Sequence, residues 1–239
     1  MRTNESRASR LQRRSRNKKQ ESHPRADIEL SALFFKAVAT NPLVCRPDEK
    51  QTIEITNQAH VVEYLAKFIR NGRNRITESD VSEIHRLTIE NIYPCAGNYR
   101  NALTLVEITG TDHRPSHPSQ VRSDVRDMLD WLDGEGRSES PIHRASFVLW
   151  RTNAIHPFNG GNGRVARALA YLVITAEVAP IFAGESLPAK LKARKRDYIE
   201  ALKAADNGNL AMLEQLVLDC VQEQITEIAL GRQGPIPGL

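Results

Sequence analysis

Ile155-His156-Pro157-Phe158-Asn159-Gly160-Gly161-Asn162-Gly163-Arg164-Val165-Ala166-Arg167 joins two strongly patterned segments, and its reading decides the fold. Upstream, Ile142 to Ile155 is apolar nearly all round, the mark of a helix buried in the middle of a protein. Downstream, Val165, Ala168, Leu169, Leu172, Val173 and Ala176 step by three and four, the period of a helix with one buried face. Between them His156-Pro157 begins a turn, and Gly160, Gly161 and Gly163 supply backbone freedom for a tight loop. Two helices joined through a short glycine-rich turn predict an α-helical core.

The same turn carries chemistry. A glycine-rich loop that opens a helix leaves unpaired N–H groups at the positive end of the helix dipole, a ready site for an anion. Arg164 and Arg167 are three residues apart and so project from one side of the first turn. Two guanidiniums beside such a nest of amides point to a polyphosphate. His156, one loop away, is the natural proton acceptor, because an ordinary imidazole is largely neutral and basic at cellular pH. Taken singly, the glycines fit a tight helix connection and the histidine a structural role. Together they favour phosphoryl or nucleotidyl transfer to a hydroxyl that His156 activates.

Outward from this centre the chain reads as more helices. Ala26 to Val38 is a first candidate, then Gln58–Asn71, where Val61, Val62, Leu65, Phe68 and Ile69 share a face and Asn71-Gly72 stops the helix. Thr77 or Ser79 caps a third that runs to about Ile92. Strand-like alternation occurs only around Leu103–Thr109, enough for one short hairpin. Val121, Val125, Met128, Leu129 and Leu132 make a stripe, Ala189–Ala205 reads as one basic helix, and Leu210 to Ile228 as a long closing helix ended by Gly231. The expected fold class is all-α: a helical bundle of about eight helices with one short β-hairpin.

Composition agrees, with 40% apolar but only 5% aromatic residues, as suits Ala/Leu/Val packing. Three scattered cysteines fit neither a disulfide framework nor a metal cluster and indicate a reducing compartment. No apolar run is long enough to span a bilayer and no hydrophobic signal core opens the chain, so a cytoplasmic protein without membrane contact is expected. Residues 1–20 hold eight basic side chains against one acid, a surplus of +7 on a chain of net charge +4, so the remainder is acidic by three. The positive charge therefore belongs to a tail, read as a solvated arm that can also touch nucleic acid. The expected division is a basic tail over 1–22, one domain over 23–232 and a short tail over 233–239. His113 and His117 are four apart, but Pro115 and Pro118 disfavour a helix between them and no further ligand pattern follows, so they read as loop residues.

The central segment resembles the signature of the Fic/Doc family, in which His-Pro-Phe is followed by any residue, an acid, Gly-Asn-Gly-Arg and a second Arg three on. The match covers His156, Pro157, Phe158, Gly161, Asn162, Gly163, Arg164 and Arg167. Gly97-Asn98-Tyr99-Arg100 is similar to the family's Gly-x-Tyr-Arg, and Tyr198 to Asp206 is similar to its Tyr-x-x-x-Leu-x-x-Ala-Asn region. The resemblance covers about residues 60–225. It implies a protein nucleotidyltransferase that moves AMP from ATP to a Tyr, Thr or Ser hydroxyl of a target protein, with His156 as general base. Gly161, Asn162 and Gly163 would cradle the α- and β-phosphates, while Arg164 and Arg167 hold the β/γ end and meet charge on the leaving pyrophosphate. Tyr198 and Asp206 would line the base pocket. Thr104, Leu105, Val106, Glu107 and Ile108 resemble the flap that clamps an extended target segment.

One departure matters. Gly160 stands where the family has the acid that coordinates Mg²⁺, so any magnesium would lack its usual protein ligand. Slow adenylylation, another transferred group, and a nucleotide-binding regulatory protein without transferase activity all stay open. The family's inhibitory Ser/Thr-to-Glu motif finds only Ser79 and Glu83, followed by Ile84 rather than Gly or Asn. Control in cis is therefore not evident, and control by a separate small antitoxin-like partner, or none, is the more natural expectation.

Overall fold

The computed structural model describes residues 42–101, 106, 113–177 and 185–231. The expected helix at Ala26–Val38, the basic tail, the C-terminal tail and four of the five flap positions lie outside these residues. Among the described residues the chain forms eight α-helices and two short 3₁₀ turns, Pro118–Gln120 and Glu135–Ser138. The helices are α1 (Lys50–Arg70), α2 (Glu78–Ile89), α3 (Val121–Asp133), α4 (Pro141–Ile155), α5 (Asn162–Glu177), α6 (Leu187–Ala193), α7 (Lys195–Asp206) and α8 (Ala211–Ala229).

The all-α expectation holds, and α4 and α5 form its centre. Ser140 caps α4, accepting from the His143 amide at 3.1 Å, with Pro141 at the first helical position. Phe147, Leu149, Trp150 and Ile155 along α4 are essentially inaccessible, as are Val165, Leu169 and Leu172 along α5. The other helices pack around this pair: α3, α7 and α8 against α4, and α1, α2 and α6 against α5. Every residue of the predicted stripe on α3 is buried, and Trp131 joins it, stacked against Phe147 with ring centroids 3.8 Å apart.

Three boundaries differ from the sequence reading, each for a local reason. Helix α1 starts at Lys50, well before Gln58, because its first turns invert the expected pattern. Ile55 faces solvent, while Asn57 is buried and donates to the Glu90 carbonyl at 2.8 Å, just past the end of α2. Helix α2 begins at Thr77, whose capping box with Asp80 was one of the two expected starts. It stops at Ile89 rather than Ile92, since Asn91 takes a left-handed conformation (φ 60°). The basic stretch Ala189–Ala205 is two helices, broken where Arg194 leaves helical geometry (ψ 38°) and ion-pairs with Glu223 of α8.

Candidate active site

The turn between α4 and α5 is held from three sides. His156 ends α4 in a left-handed conformation (φ 51°, ψ 61°), its amide still donating to the Thr152 carbonyl at 3.0 Å. Such a backbone persists for a non-glycine residue only where neighbours impose it. Arg100 is that neighbour. Its Nε donates to the His156 carbonyl at 2.7 Å, Nη2 to the Ile155 carbonyl at 3.2 Å and to Ser116, and its amide to the Pro157 carbonyl at 2.9 Å. A buried guanidinium thus takes up carbonyls left unpaired at the end of α4, where the helix dipole is negative.

Asn162 closes the loop from the other end. Its Oδ1 accepts from the Phe158 amide at 2.9 Å and its Nδ2 donates to the Phe158 carbonyl at 2.8 Å. Phe158 is fully buried and stacks flat on His85 of α2, centroids 3.7 Å apart and planes inclined by 10°. His85 in turn bonds to the loop and to the segment before Arg100: the Gly97 amide donates to its Nδ1 at 3.0 Å, and its Nε2 lies 3.1 Å from the Gly160 carbonyl.

These contacts shape the start of α5. Gly161 adopts φ 73°, where a side chain is strained, and a Cβ there would press on Ile89 at 3.1 Å. The first amides of α5 to find carbonyls are those of Arg164 and Val165, both bonded to Gly161. Among the described residues no carbonyl accepts from the Asn162 or Gly163 amides. The Arg167 guanidinium lies over this end, since a Cβ on Gly163 would meet its Nη1 at 3.3 Å. Among the described residues no carboxylate pairs with Arg167, and burial, followed by the Arg164 charge, depresses its affinity for a proton. Arg164 is partly exposed and pairs with Glu54 of α1 at 3.5 Å.

Electrostatics keep both histidines neutral. Burial first, then the Arg100 charge, push His156 down to about 4, while the Asn153 backbone carbonyl favours the proton. That carbonyl does not reach hydrogen-bonding geometry, for the buried His156 Nδ1 has no partner among the described residues. His85 is likewise pushed down to about 4, chiefly by burial.

Residues 75–174 match the Fic/DOC family model. The chain carries a Fic/DOC domain. It is similar to the protein adenylyltransferase Fic of Nematostella vectensis, 27% identical over 175 residues, which is 72% of this chain and 38% of that protein. Against the protein adenylyltransferase fic-1 of Caenorhabditis elegans it is 31% identical over 139 residues, 57% of this chain and 25% of that one. The chain thus spans well under half the length of these relatives. Solved structures share the fold. A Fic-domain-containing signaling protein from Bacteroides thetaiotaomicron superposes with a TM-score of 0.64 at 18% identity, covering 96% of this chain and all of that one. Fic-1 of C. elegans (residues 134–508) gives 0.63 at 22%, covering 94% and 73%.

Not every residue carried over from the motif faces the Fic turn in the same way. Tyr198 is buried, accepts from Asn153 Nδ2 at 2.8 Å, and sits close enough to Arg167 to feel its charge. The Asp206 carboxylate is committed elsewhere, accepting from Trp150 Nε1 at 2.9 Å and pairing with His113 at 3.1 Å. His113 also lies 2.9 Å from the Ala154 carbonyl, so this loop residue ties α4 to the end of α7. The Asn162 side chain staples the loop, leaving its amide for a ligand. Of the flap positions only Val106 is described, partly buried.

Three residues of the site had escaped the sequence: Arg100 as a clamp, His85 as a strut and Glu54 as a counter-charge. Arg100 stood within a resembling segment but nothing there showed what it holds. His85 and Glu54 reach the turn through tertiary contacts that no spacing rule encodes.

Among the described residues the side chains offer a divalent cation no ready-made cage. Gly160 brings no side-chain oxygen, its carbonyl faces His85, and no cluster of three His, Cys, Asp or Glu among the described residues could hold an ion.

Proposed function

We propose that this chain is a protein adenylyltransferase that binds ATP on the Gly161–Arg167 turn and moves AMP to a Tyr, Thr or Ser hydroxyl of a target protein. The observation that carries the reading is Arg167: a half-buried guanidinium beside the Asn162 and Gly163 amides, with neither a carboxylate for the one nor a carbonyl for the others among the described residues. A partly desolvated cation beside free amides favours an anion. The names of the adenylyltransferase relatives support the choice of transfer. A fold neighbour, BepC of Bartonella tribocorum, was solved with bound AMPPNP, which supports the choice of nucleotide.

The chemistry follows from the geometry. With its proton on Nδ1, His156 has the Nε2 lone pair free to accept the hydroxyl proton. The hydroxyl oxygen forms its bond to the α-phosphorus as the bond to the bridging oxygen breaks, and pyrophosphate departs with that electron pair. Arg164, Arg167 and the amides of Asn162 and Gly163 meet the charge that grows on it. A value of about 4 makes His156 a neutral but weak base in the free protein, and the negative charge of bound nucleotide raises its basicity in the complex. The target segment is assigned to the flap at Thr104–Ile108. Control by a small partner protein and nucleic-acid contact by residues 1–20 are further expectations of the same reading.

A second reading, a nucleotide-binding regulatory protein without turnover, is favoured by Gly160. Labelling of a cell lysate with α-³²P-ATP by the purified chain, beside His156→Ala and Gly160→Glu, separates them. Label from wild type, lost in His156→Ala, supports transfer. Label from Gly160→Glu alone supports the regulatory reading, and nucleotide-free protein under all conditions overturns both.

A further inference from the structure

His85 is not among the motif residues, yet it is fully buried and both of its ring nitrogens are engaged by main chain. The partners fix its state. A backbone amide can only donate and a carbonyl can only accept, so the 3.0 Å contact from Gly97 makes Nδ1 the acceptor, and the 3.1 Å contact to Gly160 makes Nε2 the N–H donor. The ring is thus a neutral, tautomer-locked strut. Its flat stacking on Phe158 and its Cδ2, which lies 3.5 Å from where a Gly161 Cβ would stand, set it against both ends of the turn.

The Gly160 carbonyl lies immediately before the left-handed Gly161, whose own carbonyl receives the Arg164 and Val165 amides that start α5. Rotation of the peptide between Gly160 and Gly161 would therefore swing the Gly161 amide directly and displace the start of α5, with the Asn162 and Gly163 amides, behind it. Gly160 itself offers that rotation little resistance. Gly160 has no side chain, a Cβ there would touch nothing within 4 Å, and its φ of 156° is one that glycine leaves readily.

We propose that His85 is a positioning residue for the nucleotide: its Nε2–H, by holding the Gly160 carbonyl, fixes the peptide that aims the α5 amides at the phosphates. The inference rests on the proposed nucleotide site. In a loop carrying an acid at position 160, side-chain contacts can share this task; here the histidine bears it alone among the described residues. The neutral ring suits the role, since burial keeps it uncharged through the range where the protein would work.

The test compares three substitutions in the full chain, reading the Kd for ADP by calorimetry and folding by thermal melting. His85→Gln can place an amide N–H near the former Nε2, whereas His85→Asn can place only an acceptor near the former Nδ1. Both lose the ring stacking, so a merely structural role costs them alike. His85→Phe keeps the stacking and loses both hydrogen bonds. Positioning predicts that Gln binds ADP within roughly threefold of wild type while Asn and Phe weaken binding by about tenfold or more, the scale of one lost hydrogen bond that orients a binding group. Equal losses in Gln and Asn, or wild-type affinity in folded Phe, overturn the inference and leave the nucleotide reading intact. A folded wild type that binds no ADP, ATP or AMPPNP overturns the nucleotide reading itself.

Discussion

Acidification should destabilise this protein through two histidines, and His85→Gln should remove about two-thirds of the effect. Folding holds His85 and His156 near 4, against 6.5 for an ordinary imidazole. Between those values the unfolded chain binds protons that the folded one refuses, so stability rises with pH across the window and is lost as pH falls below about 6.5. With folded and unfolded values of 4 and 6.5, linkage gives a loss of about 2 kcal/mol at pH 5 relative to pH 7.5 for a fully buried histidine such as His85. His156 is partly exposed, so solvent screening trims its share to about 1 kcal/mol. Wild type should therefore lose about 3 kcal/mol of unfolding free energy over this range from these groups. His85→Gln, although less stable than wild type at pH 7.5, should recover about 2 kcal/mol of that deficit by pH 5. Urea titrations at each pH measure this, with the slope of each transition checked for constancy. Carboxylates titrate alike in both proteins and cancel in the difference. Parallel stability profiles for the two proteins would refute the buried neutral assignment for His85.

Glu54→Gln frees Arg164 from the only carboxylate that pairs with it among the described residues and removes a negative charge from beside the phosphate site. Nucleotide affinity should rise by about three- to tenfold, measured as Kd for ADP, with the larger gain at low salt. Asp206→Asn tests the base-pocket expectation against the observed contacts with Trp150 and His113. ADP affinity should stay within about twofold, while stability falls by about 1–3 kcal/mol as the contacts to Trp150 and His113 lose their carboxylate acceptor. A large affinity loss at unchanged stability would return Asp206 to the nucleotide.

Much of this protein was legible in its sequence. The helix-turn-helix at its centre follows from periodicity on both sides of Ile155–Arg167, because a buried helical face must repeat every three or four residues. The glycines and arginines of the turn announced an anion site, because a helix start and two guanidiniums are local features fixed by spacing. The capping box at Thr77 was likewise readable, for it joins residues three apart.

Tertiary structure decided the rest. Which backbone carbonyls Arg100 takes up, which tautomer His85 adopts, and that Asp206 turns to Trp150 and His113 depend on atoms brought together from distant segments. The inverted start of α1 belongs here as well, since Asn57 is inside only because the end of α2 offers its carbonyls. Local pattern records which face of an element is apolar. It does not record which partner satisfies a buried polar group, and in this protein those partners set the protonation of the site and the aim of its amides.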